Sequence, residues 1–245
     1  LTGMSLYLIS LSLLGWTSVS RSFPLSYQSI RKLNSHRICL DAKQEATFGM
    51  GCFWKPSEDL LQTSGVLETV VGYTGNTKAT KPPSYDSVCF GREWVEAVRV
   101  YYDDDILSFR QLLDVFFEVQ VPQLGSRQYA SIVFPHNEEQ DRIAREWLST
   151  EGDRRRSDGL PVKVTEIEPL TTFYQAEGYH QRYWAKQRPR FATIALLIML
   201  SSGIVNSWIP SELESLVDTG ANGLAIGIAV YVMLERVIDA KVVEL

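Results

Sequence analysis

Residues 45–54 read Glu-Ala-Thr-Phe-Gly-Met-Gly-Cys-Phe-Trp, and this stretch decides how the whole chain is interpreted. Its first part has the composition of a short strand, and Gly49 and Gly51 then allow the backbone to turn sharply. The residues that follow resemble the first turn of a helix, with a proline and acidic side chains. The stretch therefore predicts a strand, a tight turn and a helix, with Cys52 at the turn.

Cys52 has the surroundings of a reactive thiol. A free cysteine is more often an inert, buried small hydrophobe. Here the predicted helix would place the sulfur near the positive end of its dipole, which is expected to lower the thiol pKa. Phe53 and Trp54 follow directly and could wall an apolar pocket beside the sulfur. A thiolate next to aromatic rings suits a small, weakly polar substrate that contains sulfur.

Strands and helices alternate outward from this stretch, over about residues 43–188. Further strands are predicted at residues 66–71, 94–102 and 129–134, and an edge strand at residues 161–168. Ser108 is expected to cap a helix at residues 109–118, and Asn137 to open another that runs through Trp147. This order of elements predicts an α+β domain of two layers, with helices on one face of a sheet.

Glu96 is the candidate acid. In the strand at residues 94–102 it shares one face with Val98, Val100 and Tyr102. A carboxylate on an apolar face has a raised pKa because of desolvation, and a raised pKa suits a proton donor. The alternative is that Glu96 lies at the solvated, frayed start of the strand.

The composition excludes several classes of site. A net charge of −5 over 245 residues implies no basic surface for nucleic acid. The three cysteines, Cys39, Cys52 and Cys89, are too few for a disulfide framework and lack metal-type spacing. The three histidines are scattered along the chain, so no metal site is expected.

Residues 1–42 are interpreted as a targeting presequence outside the fold. A short apolar run at residues 6–14 falls far below the roughly 20 residues that a membrane span needs. A Ser-rich stretch with four basic residues follows, and Asp41 is the first acidic residue of the chain. This two-part pattern resembles the plastid presequences of algae with complex plastids. The alternative is a secretory signal for another endomembrane compartment, followed by a disordered linker.

Residues 189–245 are interpreted as a hydrophobic helical tail. Residues 191–211 carry no charge and are just long enough for one membrane span. Basic residues precede this stretch and acidic residues follow it, which would hold the folded domain on the charge-retaining side, the stroma in a plastid. Residues 224–234 could form the return limb of a hairpin. The alternative is a helical pair that packs on the folded domain.

The stretch at residues 45–54 is similar to the signature of the A-type peptide methionine sulfoxide reductases. Further matching blocks lie at residues 71–75, 83–89, 96–103, 112–118, 128–131 and 173–181. A four-residue motif would be weak evidence, whereas blocks in unbroken order over residues 45–183 are a specific signal. The resemblance implies a two-layer sandwich of the ferredoxin-like type and a thiol-dependent reduction of methionine S-sulfoxide, free or in proteins.

The resemblance also implies roles for individual residues. Cys52 would attack the sulfoxide sulfur and become a sulfenic acid, while Glu96 would supply the proton. Substrate-binding roles would fall to four aromatic residues: Tyr85 and Tyr129 at the sulfoxide oxygen, and Phe53 and Trp54 at the methyl group. For each of these four the alternative is ordinary core packing. No bound cofactor is implied.

The chain departs from the family pattern in three places. Residues 92–95 stand where the family has Gly-His-Ala before its glutamate, and residues 119–122 replace an Asn-His-Asp-Pro turn. A Gly-Asn-Asp loop is shortened to residues 124–127, so the aspartate that helps to hold substrate in relatives has no counterpart. These departures motivate an alternative from another class, a non-catalytic or weakly active membrane-tethered module that binds sulfoxides or acts as a scaffold.

Regeneration is expected to use a single cysteine. Relatives often have resolving cysteines near the C-terminus, whereas no cysteine follows Cys89 here. Cys89 is interpreted as a buried residue at a strand end, and Cys39 as part of the presequence or a linker. We therefore expect thioredoxin, glutaredoxin or glutathione to reduce the Cys52 sulfenic acid directly. A peroxide-reducing thiol protein is a third alternative.

Overall fold

The computed structural model describes residues 43–159, 164–202, 204 and 208–245, and for Tyr85 the backbone alone. The presequence predicted at residues 1–42, together with Cys39, lies outside these ranges. The first part of the strand predicted at residues 161–168 also lies outside them.

One sheet of seven strands is formed by the described residues, in the order β5-β4-β1-β3-β2-β6-β7. In chain order the strands are β1 (Lys43–Met50), β2 (Val66–Thr74), β3 (Val95–Asp103), β4 (Ser131–Phe134), β5 (Glu166–Ile167), β6 (Tyr174–Gln175) and β7 (Val243–Glu244). Every neighbouring pair is antiparallel except β4 with β5. The four long central strands therefore lie in the order β4-β1-β3-β2.

Helices connect these strands and extend the chain beyond them. Within the described ranges they are α1 (Trp54–Leu61), α2 (Tyr85–Cys89), α3 (Phe109–Val119), α4 (Glu138–Ser157), α5 (Tyr183–Ser201) and α6 (Ser211–Ile238). The mixed α/β class predicted from the order of elements is confirmed.

Two helix starts predicted from single residues are confirmed. Ser108 accepts the backbone N–H of Gln111, whose side chain in turn accepts the Ser108 N–H, so α3 begins with a capping box. Asn137 accepts the Gln140 N–H at 2.9 Å and opens α4. This helix runs on to Ser157, beyond the end predicted at Trp147. Arg–carboxylate pairs three and four residues apart stabilise these additional turns.

The main core lies between the sheet and the helices α1, α3 and α4. Val98, Val100 and Tyr102 of β3 are buried in it, as the strand alternation predicts. Phe116 of α3 stacks on Phe48 of β1 with ring centroids 4.8 Å apart. The same face of β3 carries Glu96 at the end of the strand nearest α1, so the packing that forms the core also positions that carboxyl group.

Gly51 shapes the turn that places Cys52. Its φ is +81°, and a Cβ atom added there would lie 2.0 Å from the carbonyl oxygen of Val121. The Val121 N–H donates to the Met50 carbonyl oxygen at 2.9 Å, which holds the two segments together. Only glycine combines this left-handed conformation with so close a backbone approach.

The single membrane span expected at residues 191–211 is not one helix. Helix α5 ends at Ser201 and α6 begins at Ser211, so the uncharged stretch is divided, and that expectation was wrong. The Ser202 hydroxyl donates to the Met199 carbonyl oxygen at 2.9 Å, and such side-chain bonds compete with helix propagation. Pro210 also disfavours a helical residue before it. Among the described residues, α6 is the one helix long and apolar enough to span.

Helices α5 and α6, which we call the arm, are joined to the rest of the fold at both ends. The Glu235 carboxylate of α6 accepts hydrogen bonds from Arg190 at 2.6 Å and from Lys186 at 3.4 Å, both in α5. Arg188 pairs with Glu58 of α1 at 2.9 Å. After α6 the chain returns to the sheet, where β7 pairs with β6.

Substitution of Gly51 by alanine should destabilise the protein far more than substitution of Gly125. Both glycines have a left-handed φ, but a Cβ atom at Gly125 meets nothing within 4 Å. Gly125→Ala should therefore cost only the conformational penalty of roughly 1–2 kcal/mol. Gly51→Ala adds a clash with backbone. The free energy of unfolding measured in urea tests this, and equal losses would contradict the role given to the Val121 contact.

Candidate active site

Cys52 is half-buried between β1 and α1. Burial raises the pKa of its thiol, a hydrogen bond from the Trp54 backbone N–H lowers it, and the nearby Glu96 carboxyl group raises it again. The net direction is upward, so the expectation that the helix N-terminus gives a low thiol pKa was wrong. Desolvation penalises the thiolate more than one backbone donor stabilises it.

Glu96 lies directly beside the segment that carries Cys52. Its Oε2 accepts the backbone N–H of Phe53 at 3.2 Å, and its Oε1 accepts the side-chain amide of Gln128 at 2.7 Å. Only 7% of the residue is exposed, so the solvated alternative for Glu96 is wrong. Burial raises the pKa of this carboxyl group to about 7, although both hydrogen bonds act in the opposite direction.

The positive end of α1 is therefore occupied by a carboxyl group. Phe53 is the N-cap of α1 and provides no side-chain cap. Its N–H, which the helix leaves without an internal partner, donates to Glu96 instead. An anion at a helix N-terminus is stabilised by the dipole, and here Cys52, which interacts with the Trp54 N–H, shares that position with Glu96, which accepts the Phe53 N–H.

Phe53 and Trp54 differ in their surroundings. Phe53 is 1% exposed, and its ring centroid lies 5.3 Å from that of His180. Trp54 is half-buried and stacks on Tyr183 with ring centroids 3.9 Å apart and an angle of 4°. Its indole N–H donates to Nδ1 of His180 at 2.9 Å. The Trp54 ring is thus fixed by one stacking contact and one hydrogen bond.

A polar group that the sequence interpretation missed lies around Phe53. The Tyr73 hydroxyl donates to Oε2 of Glu177 at 2.9 Å, and Nε2 of His180 is 3.8 Å from the same oxygen. Burial lowers the pKa of His180 to about 4, so the ring is neutral and its Nδ1 can accept the Trp54 N–H. All three residues belong to the resembling blocks, which were the signal that could have identified them.

Gln128 was also missed, although it adjoins Tyr129 in a quoted block. Tyr129 is half-buried in the loop before β4, where its N–H donates to the Ser126 hydroxyl at 3.3 Å and its carbonyl oxygen accepts the Gln123 N–H at 3.0 Å. Strand β4 begins only at Ser131. The loop thus presents Gln128 to Glu96 and holds Tyr129 one residue further along the chain.

Tyr85 and Cys89 are the two ends of the short helix α2. Ser84 caps this helix by accepting the Ser87 N–H at 3.2 Å. The side chain of Tyr85 lies outside the description, so its expected contact with substrate stays a prediction. Cys89 is half-buried at the end of α2, and its expected place as a buried residue at a strand end was wrong. The Ser84 cap is the local reason for a helix there.

The shortened loop at residues 124–127 ends in Arg127, which forms an ion pair. Arg127 donates to Oε2 of Glu168 at 2.7 Å and to the carbonyl oxygen of Gly75 at 3.2 Å. A second bond, to Oε1 of Glu168, makes this pair bidentate and ties the loop to the residue that follows β5. Within the described ranges, no group of three histidine, cysteine or acidic side chains is placed to hold a metal ion.

Comparison with known proteins agrees with this geometry. The family model of peptide methionine sulfoxide reductase matches residues 44–208. The peptide methionine sulfoxide reductase MsrA of Methanoculleus marisnigri is 41% identical over 155 residues, which are 59% of this chain and 90% of that protein. The MsrA of Methanothermobacter thermautotrophicus is 39% identical over 164 residues, 62% of this chain and 93% of its own.

A solved structure supports the same assignment. Methionine sulfoxide reductase A of Corynebacterium diphtheriae superposes with a TM-score of 0.54 at 30% identity, covering 60% of this chain and 76% of that one. The chain belongs to the peptide methionine sulfoxide reductase family.

Glu96→Gln should change how stability depends on pH. Because the pKa of Glu96 is raised from its ordinary 4.5 to about 7, its contribution is present at low pH and is lost as the pH rises through about 7. The free energy of unfolding of the unmodified protein should fall by about 2–3 kcal/mol more than that of the variant between about pH 5 and pH 8. Urea unfolding at both pH values measures this. Glu68→Gln, at an exposed position of β2, should follow the unmodified protein; parallel curves for Glu96→Gln would contradict the buried acid.

Proposed function

We propose that this protein reduces the S-epimer of methionine sulfoxide, free or in proteins, and so repairs oxidised proteins. The observation that carries the proposal is the buried Glu96 carboxyl group, whose pKa is raised to about 7 and which is bonded to the amide adjoining Cys52. A nucleophilic sulfur and a proton donor are the two groups that sulfoxide reduction needs. The family relationship supports the same reaction.

In the proposed reaction the sulfoxide oxygen is transferred to Cys52. Protonated Glu96 donates a hydrogen bond to the sulfoxide oxygen and makes the substrate sulfur electrophilic. The Cys52 sulfur then attacks the substrate sulfur, Glu96 gives its proton to the sulfoxide oxygen and takes up the thiol proton, the hydroxyl group passes to Cys52, and the substrate S–O bond breaks. Thiol and sulfoxide become sulfenic acid and methionine, so cysteine is oxidised as methionine sulfur is reduced.

The raised pKa of the Cys52 thiol fits an enzyme whose nucleophile is activated by its substrate. Peroxide reduction by a thiol requires a thiolate in the resting enzyme. Here burial keeps the free thiol protonated, which weighs against the peroxide-reducing alternative. Binding of a sulfoxide, whose oxygen can engage Glu96, removes the carboxylate charge that otherwise disfavours thiolate formation.

Phe53 and Trp54 are proposed to hold the substrate methyl group, with Tyr129 and Tyr85 at the sulfoxide oxygen. The fixed Trp54 ring supports the first role, since a wall that is held by stacking and by a hydrogen bond loses little entropy on binding. The position of Tyr129 beside Gln128, which contacts Glu96, supports the second.

Regeneration is proposed to use an external thiol, from thioredoxin, glutaredoxin or glutathione. A first thiol displaces water from the Cys52 sulfenic acid and gives a mixed disulfide. A second thiol then releases Cys52 and leaves as the oxidised reductant. The absence of any cysteine after Cys89 in the sequence supports this one-cysteine cycle.

The full-length chain should reduce dabsyl-methionine sulfoxide with dithiothreitol, and Cys52→Ser should abolish turnover. Cys89→Ser is the matched control, because this thiol has no proposed role, and it should keep the unmodified rate. Mass spectrometry after one turnover without reductant should find oxidation confined to Cys52. Binding of the sulfoxide without turnover would favour the non-catalytic module, and a Cys52–Cys89 disulfide as the main product would overturn the one-cysteine cycle.

We further propose that the arm enters a membrane as a hairpin. Its support is the row of exposed large apolar side chains on both helices, since exposed apolar patches mark membrane or protein interaction sites. Examples with more than half of the residue exposed are Ile198, Leu216, Leu224, Ile226 and Met233. Pairing of β7 with β6 brings the chain back to the sheet, so both ends of the arm would lie on one side of the bilayer.

The charges of the arm support that orientation. Four basic residues lie at the base of the arm, the end that is joined to the rest of the fold: Lys186, Arg188, Arg190 and Arg236. Glu212 lies 23 residues before Glu235 in α6, a helical distance of roughly 35 Å, so the acidic first turn forms the far end. Basic residues tend to stay on the side of the membrane from which a segment is inserted. The basic base of the arm and its acidic far end would therefore keep the folded domain on that side.

Flotation of the full-length protein with phosphatidylcholine vesicles tests the arm. Leu224→Glu places a charge near the middle of α6, where it should cost about 2.5–3.5 kcal/mol in a membrane and reduce the floated fraction sharply. Leu124→Glu is the matched control in an exposed loop of the catalytic half and should float as the unmodified protein does. An unmodified protein that stays at the bottom, or equal flotation of both variants, would contradict insertion.

Targeting to an algal plastid through residues 1–42 remains a prediction from sequence, with another endomembrane compartment as the alternative. The domain limits at residues 43–188 and 189–245 are likewise predictions.

A further inference from the structure

A cavity of about 420 Å³ opens between the start of α1 and the base of the arm. This volume falls within the range of roughly 300–1,000 Å³ that is usual for ligand-binding pockets. Four aromatic side chains form much of its wall: Trp54, Tyr179, Tyr183 and Phe191. Glu235 and Arg236 of α6 contribute the charged part of the lining. The roles given above to Cys52 and Glu96 do not use this cavity.

The cavity adjoins the reactive cysteine through Trp54. The Cα atom of Trp54 is two residues from that of Cys52, hence no more than about 8 Å away. A peptide whose oxidised methionine reaches Cys52 carries its neighbouring residues within a few ångströms of that side chain, since each residue extends the chain by about 3.5 Å. A residue next to the methionine can therefore reach the cavity while the sulfoxide is in place.

The electrostatics of the cavity favour an anion. Glu235 already accepts hydrogen bonds from Arg190 and Lys186, so its charge is compensated. Arg236 is exposed, and its guanidinium lies 6.0 Å from the ring centroid of Tyr179. Among the described residues, no carboxylate stands within ion-pair distance of Arg236. Glu177, a buried acid next to the lining residue His180, accepts a hydrogen bond from the Tyr73 hydroxyl.

We infer that this cavity is the subsite for an acidic residue that adjoins the oxidised methionine in a protein substrate. This inference rests on the proposed function. Arg236 pairs with the carboxylate of that residue, and the aromatic walls pack against its carbon chain and the peptide backbone. The protein therefore distinguishes substrates by the charge beside the methionine sulfoxide.

The experiment compares peptides in which methionine sulfoxide is flanked by glutamate, by lysine or by alanine, with the full-length protein and dithiothreitol. The unmodified protein should show a kcat/KM for the glutamate peptide about fivefold above that for the lysine peptide, as one partly exposed ion pair allows. The ratio should shrink as salt is added. Arg236→Glu should invert it, and Arg236→Gln should bring it close to one.

Arg110→Glu is the matched control, because Arg110 is exposed on α3 and lines no part of the cavity; it should keep the ratio of the unmodified protein. A ratio near one in the unmodified protein, or a ratio that Arg236→Glu leaves unchanged, overturns the subsite. If Arg236→Glu fails to fold, Arg236→Gln and the salt dependence of the unmodified protein decide. Failure of the proposed function itself differs, since no peptide would then be turned over, the alanine peptide included.

Discussion

The hydrogen bond from the Phe53 backbone N–H to the buried Glu96 carboxyl group is the interaction on which the site depends. It joins the first turn of α1 to β3, and the second bond of the carboxyl group, from Gln128, adds the loop before β4. Three segments that are far apart in sequence thus converge on one acid. Because that acid is removed from water, its proton is held near neutral pH. The same contact therefore places Cys52 beside Glu96 and buries the carboxyl group, whose pKa is raised by that burial.

Local patterns predicted the parts of the fold that local rules control. The two-residue alternation of β3 placed Glu96 on the buried face, and Ser108 and Asn137 marked where helices begin. The same reasoning could not predict Gln128, whose role depends on a loop that folds back over 32 positions to meet the acid. Tyr85 stays a prediction. What a residue contacts across the sheet is set by tertiary packing, and a single sequence carries that information only through family resemblance.

The thiol pKa and the arm show why two expectations failed. The helix N-terminus was expected to lower the pKa of the Cys52 thiol, but burial raises it. Burial depends on how many atoms surround the sulfur in the folded protein, and the spacing of residues in the sequence does not give that number. The uncharged stretch at residues 191–211 satisfied a length rule that ignores helix ends. The Ser202 hydroxyl after α5 and Pro210 before α6 help to divide it, and the apolar continuation lies in α6 instead.

Attachment at both ends also removes a degree of freedom from the molecule. Arg188 joins the arm to α1, and Glu235 joins the two helices of the arm at its base. After the arm, β7 pairs with β6 and so attaches the other end to the sheet. A linker at one end would permit free swivelling about its anchor. Here the arm is held at both ends, so it keeps one orientation relative to the cavity beside Trp54, and anything bound to the arm would meet that cavity from one direction.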